Sequence, residues 1–501
     1  MPKNPLNKGF LTFLWYNISG LREKTYMTMT KRSNYKDLGF IFGSIDELVP
    51  EDHLVRKLES AIDWNFIYPL VSDLYSDVGR KSIDPVILFK MIFIDKLFGI
   101  NSMRKTVEEI KVNLAYRWFL NLSFDDEVPN YSTWSQNYIR RYHDSDVFDK
   151  IFERIIKEAV DNKFIDTSCV FMDSTHQKAN ANKRKSHNEE VEIVKKIYED
   201  DLLKEINEVR RAHGKKEIKD IVKEEIIFDE ATGEEIMITK TKNIKVSDTD
   251  PECGNFHKGE KEECFAYLCF HLPASRSGGS LHPYGFHQND TLPANIHDSA
   301  SFYNVYHKIN DDYKITNIAL DAGFKTPSIL KAIFDNDQIP LLPYTRQKGR
   351  KGYFKKYEYN YDEKSDTYTC PNGHTLNYST TDKKGYSLYK ADKKDCLDCP
   401  FKNKCTHSKN KVLLRHVWEG YKEKCEKIRH TDLWKELYPL RKQTIERDFA
   451  IAKENHCLRF TRLKGLNKNR HNTAIIYSSL NIKKIALWKY KNHHNAYNYS
   501  L

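Results

Sequence analysis

Apolar residues recur at three- and four-residue spacing through HLVRKLESAIDW, DPVILFKMIFIDKLFGI and MRKTVEEIKVNLAYRWFL, between about Leu48 and Asp166. That spacing predicts a series of helices with one buried face. VPNYSTWSQNYIRRY and VFDKIFERIIKEAV extend the series, with Ser132 and Thr133 as candidate N-caps. At Val170 the pattern changes. VFMDST, ECFAYLCFHLP, ITNIALDAGF and QIPLLPYT are short apolar runs separated by helical or turn segments, which is an α/β pattern. Between the first two runs lies a charged insert, at about 186–260. Ser186 and Glu189 form a capping-box pattern there. Val191, Val194, Tyr198, Leu202, Ile206 and Val209 make a stripe, so the insert predicts one amphipathic helix from 186 to about Gly214. From Arg346 to about Lys424 the chain is rich in Lys and Tyr and reads as a small β unit. TDLWKELYPLRKQTIERDFAIAKENHC returns to helix, with Pro439 in a first-turn position, and NTAIIYSSLNIKKIALWKY predicts a further helix, mostly buried.

Composition narrows the class. With 501 residues, two to four domains are expected, and 40% hydrophobic and 13% aromatic residues are enough for packed cores. The longest apolar stretch, from Pro85, carries two lysines and an aspartate, so it predicts a core helix and no membrane span. The N-terminal apolar stretch contains Asn17 and lacks an A-x-A-like site, so export is not expected. Met27 and Met29 are alternative starts, and residues 1–42 are expected to be an extension. A formal charge of +11 fits a polyanionic partner, and fits equally a basic protein that binds none.

Two aspartates end apolar runs: Asp173 after Val170–Met172, and Asp321 after Ile318–Leu320. Each alone could be a turn or cap residue. Together, on adjacent strands, they would converge at one sheet edge, where two carboxylates repel unless a shared proton or divalent cation holds them. Hard carboxylate oxygens favour Mg²⁺ or Mn²⁺ over zinc. Glu446 lies beside the buried stripe of Ile445, Phe449 and Ala452, with Lys442 and Lys453 on its own face, and could equally be a salt-bridged surface residue. Cys370, Cys396, Cys399 and Cys405 offer either a four-thiolate zinc site, with His374 or His407 as substitutes, or reduced thiols packed in a small β unit. His297-Asp298 could support the acids or form a turn. Trp134, Trp418 and Trp434 could stack on a displaced base or be core.

The order strand-Asp, strand-Asp, helix-Glu after basic helical material resembles the DDE transposases of bacterial insertion sequences. The resemblance is carried by VFMDSTHQKANANK, LPANIHDSASF, IALDAGF, IERDFAIAKENHCLRFTRLKGL and NTAIIYSSLNIKKI, and it spans roughly residues 40–490. The branch it is most similar to is the insertion-sequence family numbered eleven-eighty-two, within the group numbered four. The resemblance implies an RNase H-like catalytic core and a two-metal mechanism. Asp173 would bridge both ions, Asp321 and Glu446 would each hold one, and Lys453 would lie near the scissile phosphate. It also implies DNA contacts from Arg447, Arg459, Arg462 and Lys464, and from Arg140 and Arg141 in the helical region. One feature departs. Related chains carry Tyr, Arg, Glu and Lys separated by two, three and six residues. Here Tyr438, Arg441, Glu446 and Lys453 fit except for a middle gap of four.

The expected organisation is therefore an extension (1–42), an all-α DNA-binding domain (43–166), and an α/β RNase H-like core in two parts (167–345 and 425–490). The core carries the charged insert and is interrupted by a β insertion with the Cys cluster (346–424), and a tail follows (491–501). The expected activity is cleavage and joining of DNA at terminal inverted repeats, by a homodimer, in the bacterial cytoplasm. The alternatives are a metal-dependent nuclease without strand transfer and a transposase-derived DNA-binding regulator.

Overall fold

The computed structural model describes residues 43–498 except 80, 165–167, 193–197, 220–223, 229–234, 240, 259–261, 274–279, 283–290, 294–301, 304, 308–309, 311–312 and 347–350. The expected extension and His297-Asp298 lie outside the described residues. Ile45–Leu48 is a short helix within the N-terminal unit, and all that follows belongs to the unit Val49–Leu501.

The helical region forms as the spacing predicts: α1 (Leu54–Ala61), α2 (Pro85–Leu97), α3 (Met103–Val112), α4 (Tyr131–Asn137) and α5 (Val147–Asp161). Helix α2 starts where Asp84 accepts from the Val86 amide at 2.7 Å and Pro85 fills the first turn, a position that needs no amide hydrogen. It is buried nearly all round. Even Lys90 is enclosed, paired with Glu59 at 2.7 Å and lying over the rings of Trp64 and Phe119. The cap of α4 differs from expectation. Asn130, not Ser132 or Thr133, accepts from the Ser132 amide at 2.9 Å, because the helix begins two to three residues earlier than the hydroxyl pair suggested.

The main sheet has seven strands, among them β1 (Cys169–Lys178), β2 (Glu262–Pro273), β3 (Thr291–Pro293), β4 (Asn317–Leu320) and β5 (Ile339–Leu341). β2 lies antiparallel to β1, and β3 antiparallel to β2. β4 runs parallel to β1, and β5 parallel to β4. The short strands Gly254–Lys258 and Ser280–His282 also pair with β2. The parallel strands read as unbroken apolar runs because both faces are covered. Val170, Phe171, Met172, Ile318, Ala319 and Leu320 are all fully buried.

The charged insert is not one helix. Ser186–Glu192 is a strand paired antiparallel with Thr241–Ser247, and the helix α6 spans only Glu199–Ala212. Alternating Ser-His-Asn-Glu-Glu-Val-Glu suits an exposed ribbon as well as a helix cap, and pairing with a distant strand decided between them. The stripe survives at Leu202 and Ile206, which pack on Trp418. That contact makes Trp418 a core residue. The β insertion is an antiparallel five-stranded meander running Asn360–Asp362, Thr367–Thr369, Thr375–Thr381, Tyr386–Ala391 and Val412–His416. Its core is largely tyrosine: Tyr359, Tyr368 and Tyr389 around Leu376.

The last helix, α7 (Leu466–Asn498), runs 33 residues, about 50 Å at 1.5 Å per residue. It packs on α1, α2 and α5 and also meets the sheet. Arg470 forms a buried ion pair with Asp149 of α5, and Lys489 pairs with Glu158 at 2.8 Å. His471 accepts or donates at 2.9 Å with the Tyr138 hydroxyl and stacks on Phe148 at 4.3 Å. No described helix is long and apolar enough to cross a membrane.

Two outcomes follow from this burial. Asp149→Ala would leave the Arg470 guanidinium enclosed without its carboxylate, and should cost about 3–5 kcal/mol of unfolding free energy in urea titrations. The double change Asp149→Leu with Arg470→Met should restore most of that loss. The second outcome concerns acid. Burial lowers His416 and His456 to about 4 and His471 to about 3. All three are neutral in the fold but take up protons near 6.5 when unfolded. Their stabilisation is thus complete above about pH 6.5 and is lost as pH falls towards 4, by roughly 1.4 kcal/mol per pH unit for each proton. Urea midpoints measured across this window should show that slope. His456→Gln should reduce it by one proton's share.

Candidate active site

The parallel register of β1 and β4 ends at Met172 opposite Leu320. The next residues, Asp173 and Asp321, therefore stand side by side where the two strands part. Asp173 still pairs with His271 across the β1–β2 ladder, and Asp321 opens a tight turn in which the Phe324 amide donates to its carbonyl at 3.1 Å. Phe324 is buried, so the chain folds back over the strand end and leaves the Asp321 carboxylate exposed.

Glu446 comes from the opposite side. Ile445 is fully buried among Cys169, Phe171, Ala319 and Leu341, which seats its helical segment on the sheet face beneath the two aspartates. Upstream, Trp434 donates its indole N–H to the Leu342 carbonyl at 2.9 Å and stacks on Tyr438 at 4.8 Å. Trp434 is thus an anchor of the helix and not a free stacking surface. Lys442–Glu446 is a π-helical turn, followed by the α-helix Arg447–Asn455.

That turn explains the departure in spacing. One additional residue in an α-helix would rotate everything after it by about 100°, whereas a π turn absorbs it. Arg441 and Glu446, five apart, consequently share a face: the Arg441 Nη1 lies 3.4 Å from the Glu446 Oε1. Its Nη2 forms an ion pair with Asp173. Arg441 is only 11% exposed and bridges the first and third acids. Tyr438 sits over the same group. Its hydroxyl is pushed up to about 12 by burial, with Arg441 pulling down and Asp321, Asp173 and Glu446 pushing up. One phenol thus senses all three acids and the arginine.

Behind the helix lies a second polar group. Asp448 is buried and accepts from the His271 Nε2 at 3.2 Å, while Lys484 of α7 pairs with its other oxygen at 2.5 Å. Burial lowers His271, which keeps it a neutral donor, and it stacks on Tyr477 at 4.4 Å. These contacts tie the glutamate helix to β2 and α7 at once.

The remaining candidates are dispersed. After the helix, Arg459–Thr461 runs beside the end of β1: the Lys178 amide donates to the Arg459 carbonyl at 3.2 Å, and the Thr461 amide to the Lys178 carbonyl at 3.0 Å. This holds Arg459, Arg462 and Lys464 exposed on one loop, with Arg459 paired to Glu454. Arg447 is exposed and Lys453 half-buried. Arg140 is exposed on α4's continuation, a second π turn, and Arg141 lies over the Tyr75 ring at 4.4 Å. Trp134 packs edge-on against Phe89 at 5.6 Å, a core contact.

Among the described residues, no three His, Cys, Asp or Glu side chains come close enough together to hold a metal ion. The first and third acids meet at the Arg441 guanidinium. The four cysteines are not drawn into one group either. Cys396 is buried in the core of the β unit, Cys370 and Cys405 pack against it, and the Cys405 thiol meets the Tyr359 hydroxyl at 3.1 Å.

Two family models match the chain. "Transposase domain" matches residues 43–140, the helical region, and "Transposase DDE domain" matches residues 369–486, from the β unit through Glu446 into α7. Two regions of the chain thus match the two domains of DDE transposases. The second match includes Glu446 and Lys453; Asp173 and Asp321 lie before it. No curated protein matches. A cryo-EM structure of a piggyBac transposase synaptic complex with hairpin DNA shares 7% identity, covering 87% of this chain and 75% of that one, with a TM-score of 0.31. That likeness is too distant to carry any statement about this chain.

Three participants escaped the sequence pattern: Arg441 as a bridge, and the pair of His271 and Asp448. The residue beyond the usual gap was the signal for the first. Nothing in local sequence signals the second, which joins residues far apart in the chain. The π turn yields a direct expectation. Deleting the exposed Gln443 should convert it to a regular α-turn at a cost of about 1 kcal/mol or less, since Arg441 and Glu446 would remain one turn apart. Deleting the exposed Ala450, in regular α-helix, should cost roughly 3 kcal/mol or more by rotating one side of the helix against the other. Thermal or urea unfolding of the two deletions would distinguish these outcomes.

Proposed function

We propose that this chain is a DNA transposase that cuts and joins DNA at the ends of its element through Asp173, Asp321 and Glu446. The observation that carries this reading is the meeting of two strand-end aspartates with a glutamate brought across the sheet and tied to Asp173 through Arg441. Along its main path the sheet runs β5, β4, β1, β2 and then Gly254–Lys258, with β4 and β5 parallel to β1, β2 antiparallel to it, and β3 also paired with β2. That order supports an RNase H-like core.

The donor set fits a hard divalent cation: three carboxylates, with two on adjacent strand ends and the third on a packed helix. In this reading Asp173 would contact two ions, and Asp321 and Glu446 one each. Bound Mg²⁺ would supply a nucleophilic water or 3′-hydroxyl and charge stabilisation at the leaving oxygen. The protein's own share is positional. β1 and β4 fix the aspartates, Ile445 and Trp434 fix the glutamate helix, and the exposed loop with Arg459, Arg462 and Lys464 offers cations to backbone phosphates beside it. Arg447 and Lys453 extend that basic surface along the helix, and Arg140 and Arg141 offer a second contact in the helical region. Transposition handles two DNA ends, so a homodimer on DNA is part of this reading.

Purified protein, Mg²⁺ and a plasmid carrying the element's terminal repeats test the proposal. Wild type should give end-specific nicks and joined products, and Glu446→Gln should lower both by about a hundredfold or more. Nicking without joining would favour a nuclease. End-binding with no cleavage would favour a DNA-binding regulator.

A further inference from the structure

Arg441 occupies the place where the first and third acids face each other. Its guanidinium lies between Asp173 and Glu446, the side chain is almost enclosed, and its Nε is buried with no hydrogen-bond partner among the described residues. A fixed guanidinium has the charge and donor geometry to satisfy two carboxylates at once, and it cannot be deprotonated. A divalent cation entering the same space meets a positive charge on the very oxygens it needs. At a few ångströms, such like charges repel strongly in a partly dry site.

We propose that Arg441 is a resident counter-ion that keeps the acids together and lowers their affinity for divalent metal until a DNA phosphate withdraws the guanidinium. This inference rests on the reading of the three acids as a metal site. It assigns to Arg441 a task separate from chemistry. Without a cation between them, Asp173 and Glu446 would repel and the helix end would loosen. With Arg441 in place they stay assembled, yet closed to metal. Arginine binds phosphate with the same paired N–H groups it uses for carboxylates, so the backbone of a bound duplex competes directly for it. The unpartnered Nε gives that exchange one more bond than the carboxylates provide. Metal loading and DNA binding then become reciprocally coupled, each raising the affinity for the other.

Mn²⁺ binding to the DNA-free full chain, followed by calorimetry or by loss of the free-ion EPR signal, tests this directly. Arg441→Gln should bind Mn²⁺ about tenfold more tightly than wild type, and Arg441→Lys, which keeps one cation without the fork, should fall between them. A short blunt DNA duplex should tighten Mn²⁺ binding in wild type and do so markedly less in Arg441→Gln; comparing the two gains removes the contribution of the phosphates themselves. Unchanged or weaker Mn²⁺ binding in both Arg441 variants would overturn the proposal, because the arginine would then be supporting the metal-ready geometry and not opposing it. Asp173→Asn and Glu446→Gln identify a different failure. If neither weakens Mn²⁺ binding, the metal reading itself falls, and the counter-ion proposal with it.

Discussion

The burial of Ile445 against Phe171, Ala319 and Leu341 is the contact from which the rest of the site follows. A carboxylate on a solvent-facing helix has no reason of its own to approach two others. It is carried there by the apolar side chain one residue earlier, whose transfer out of water stabilises by roughly 2 kcal/mol or more. The same packing brings Arg441 into reach of Asp173, and with it the charge that offsets the repulsion the packing creates. Hydrophobic seating and electrostatic compensation thus operate on adjacent residues of one turn.

The polar anchor behind the helix works differently. His271 and Asp448 are buried and Lys484 half-buried, from a strand and two helices, and each satisfies another. Groups of this kind add little net stability but penalise misplacement, since a shift of the helix would leave an ion without its partner. The glutamate helix therefore has one face held by shape and another by direction. Precision of the Glu446 carboxylate depends on both.

Much of this was legible in the residues. The apolar runs ending in Asp173 and Asp321 read as strands because both faces of the parallel pair are covered, and the helical region read clearly from its three- and four-residue period. The tyrosine-rich β unit was legible too. The insert at 186 was misread because its N-terminal strand is exposed, polar and paired with a segment some fifty residues later, so local periodicity had nothing to report. The active-site bridge was half legible. The four-residue gap between Arg441 and Glu446 was visible as a departure, but only backbone geometry shows that a π turn absorbs it. The cysteines have a metal-type spacing in sequence, and in the fold Cys370 and Cys405 pack beside the buried Cys396.

Helix α7 gives the chain an unexpected indivisibility. The two regions that match transposase models lie at opposite ends of the sequence, with the strands of Asp173 and Asp321 between them. Yet α7 of the second region fills the helical core of the first. Arg470 forms a buried ion pair with Asp149, and Lys489 reaches the Ala61 carbonyl at 2.9 Å as well as Glu158. Recognition and chemistry are conventionally thought of as exchangeable modules joined by a linker. Here a shared strut replaces the linker, so swapping the helical region for another would expose the strut's apolar and charged side chains together, and the two matching regions would have to change in step.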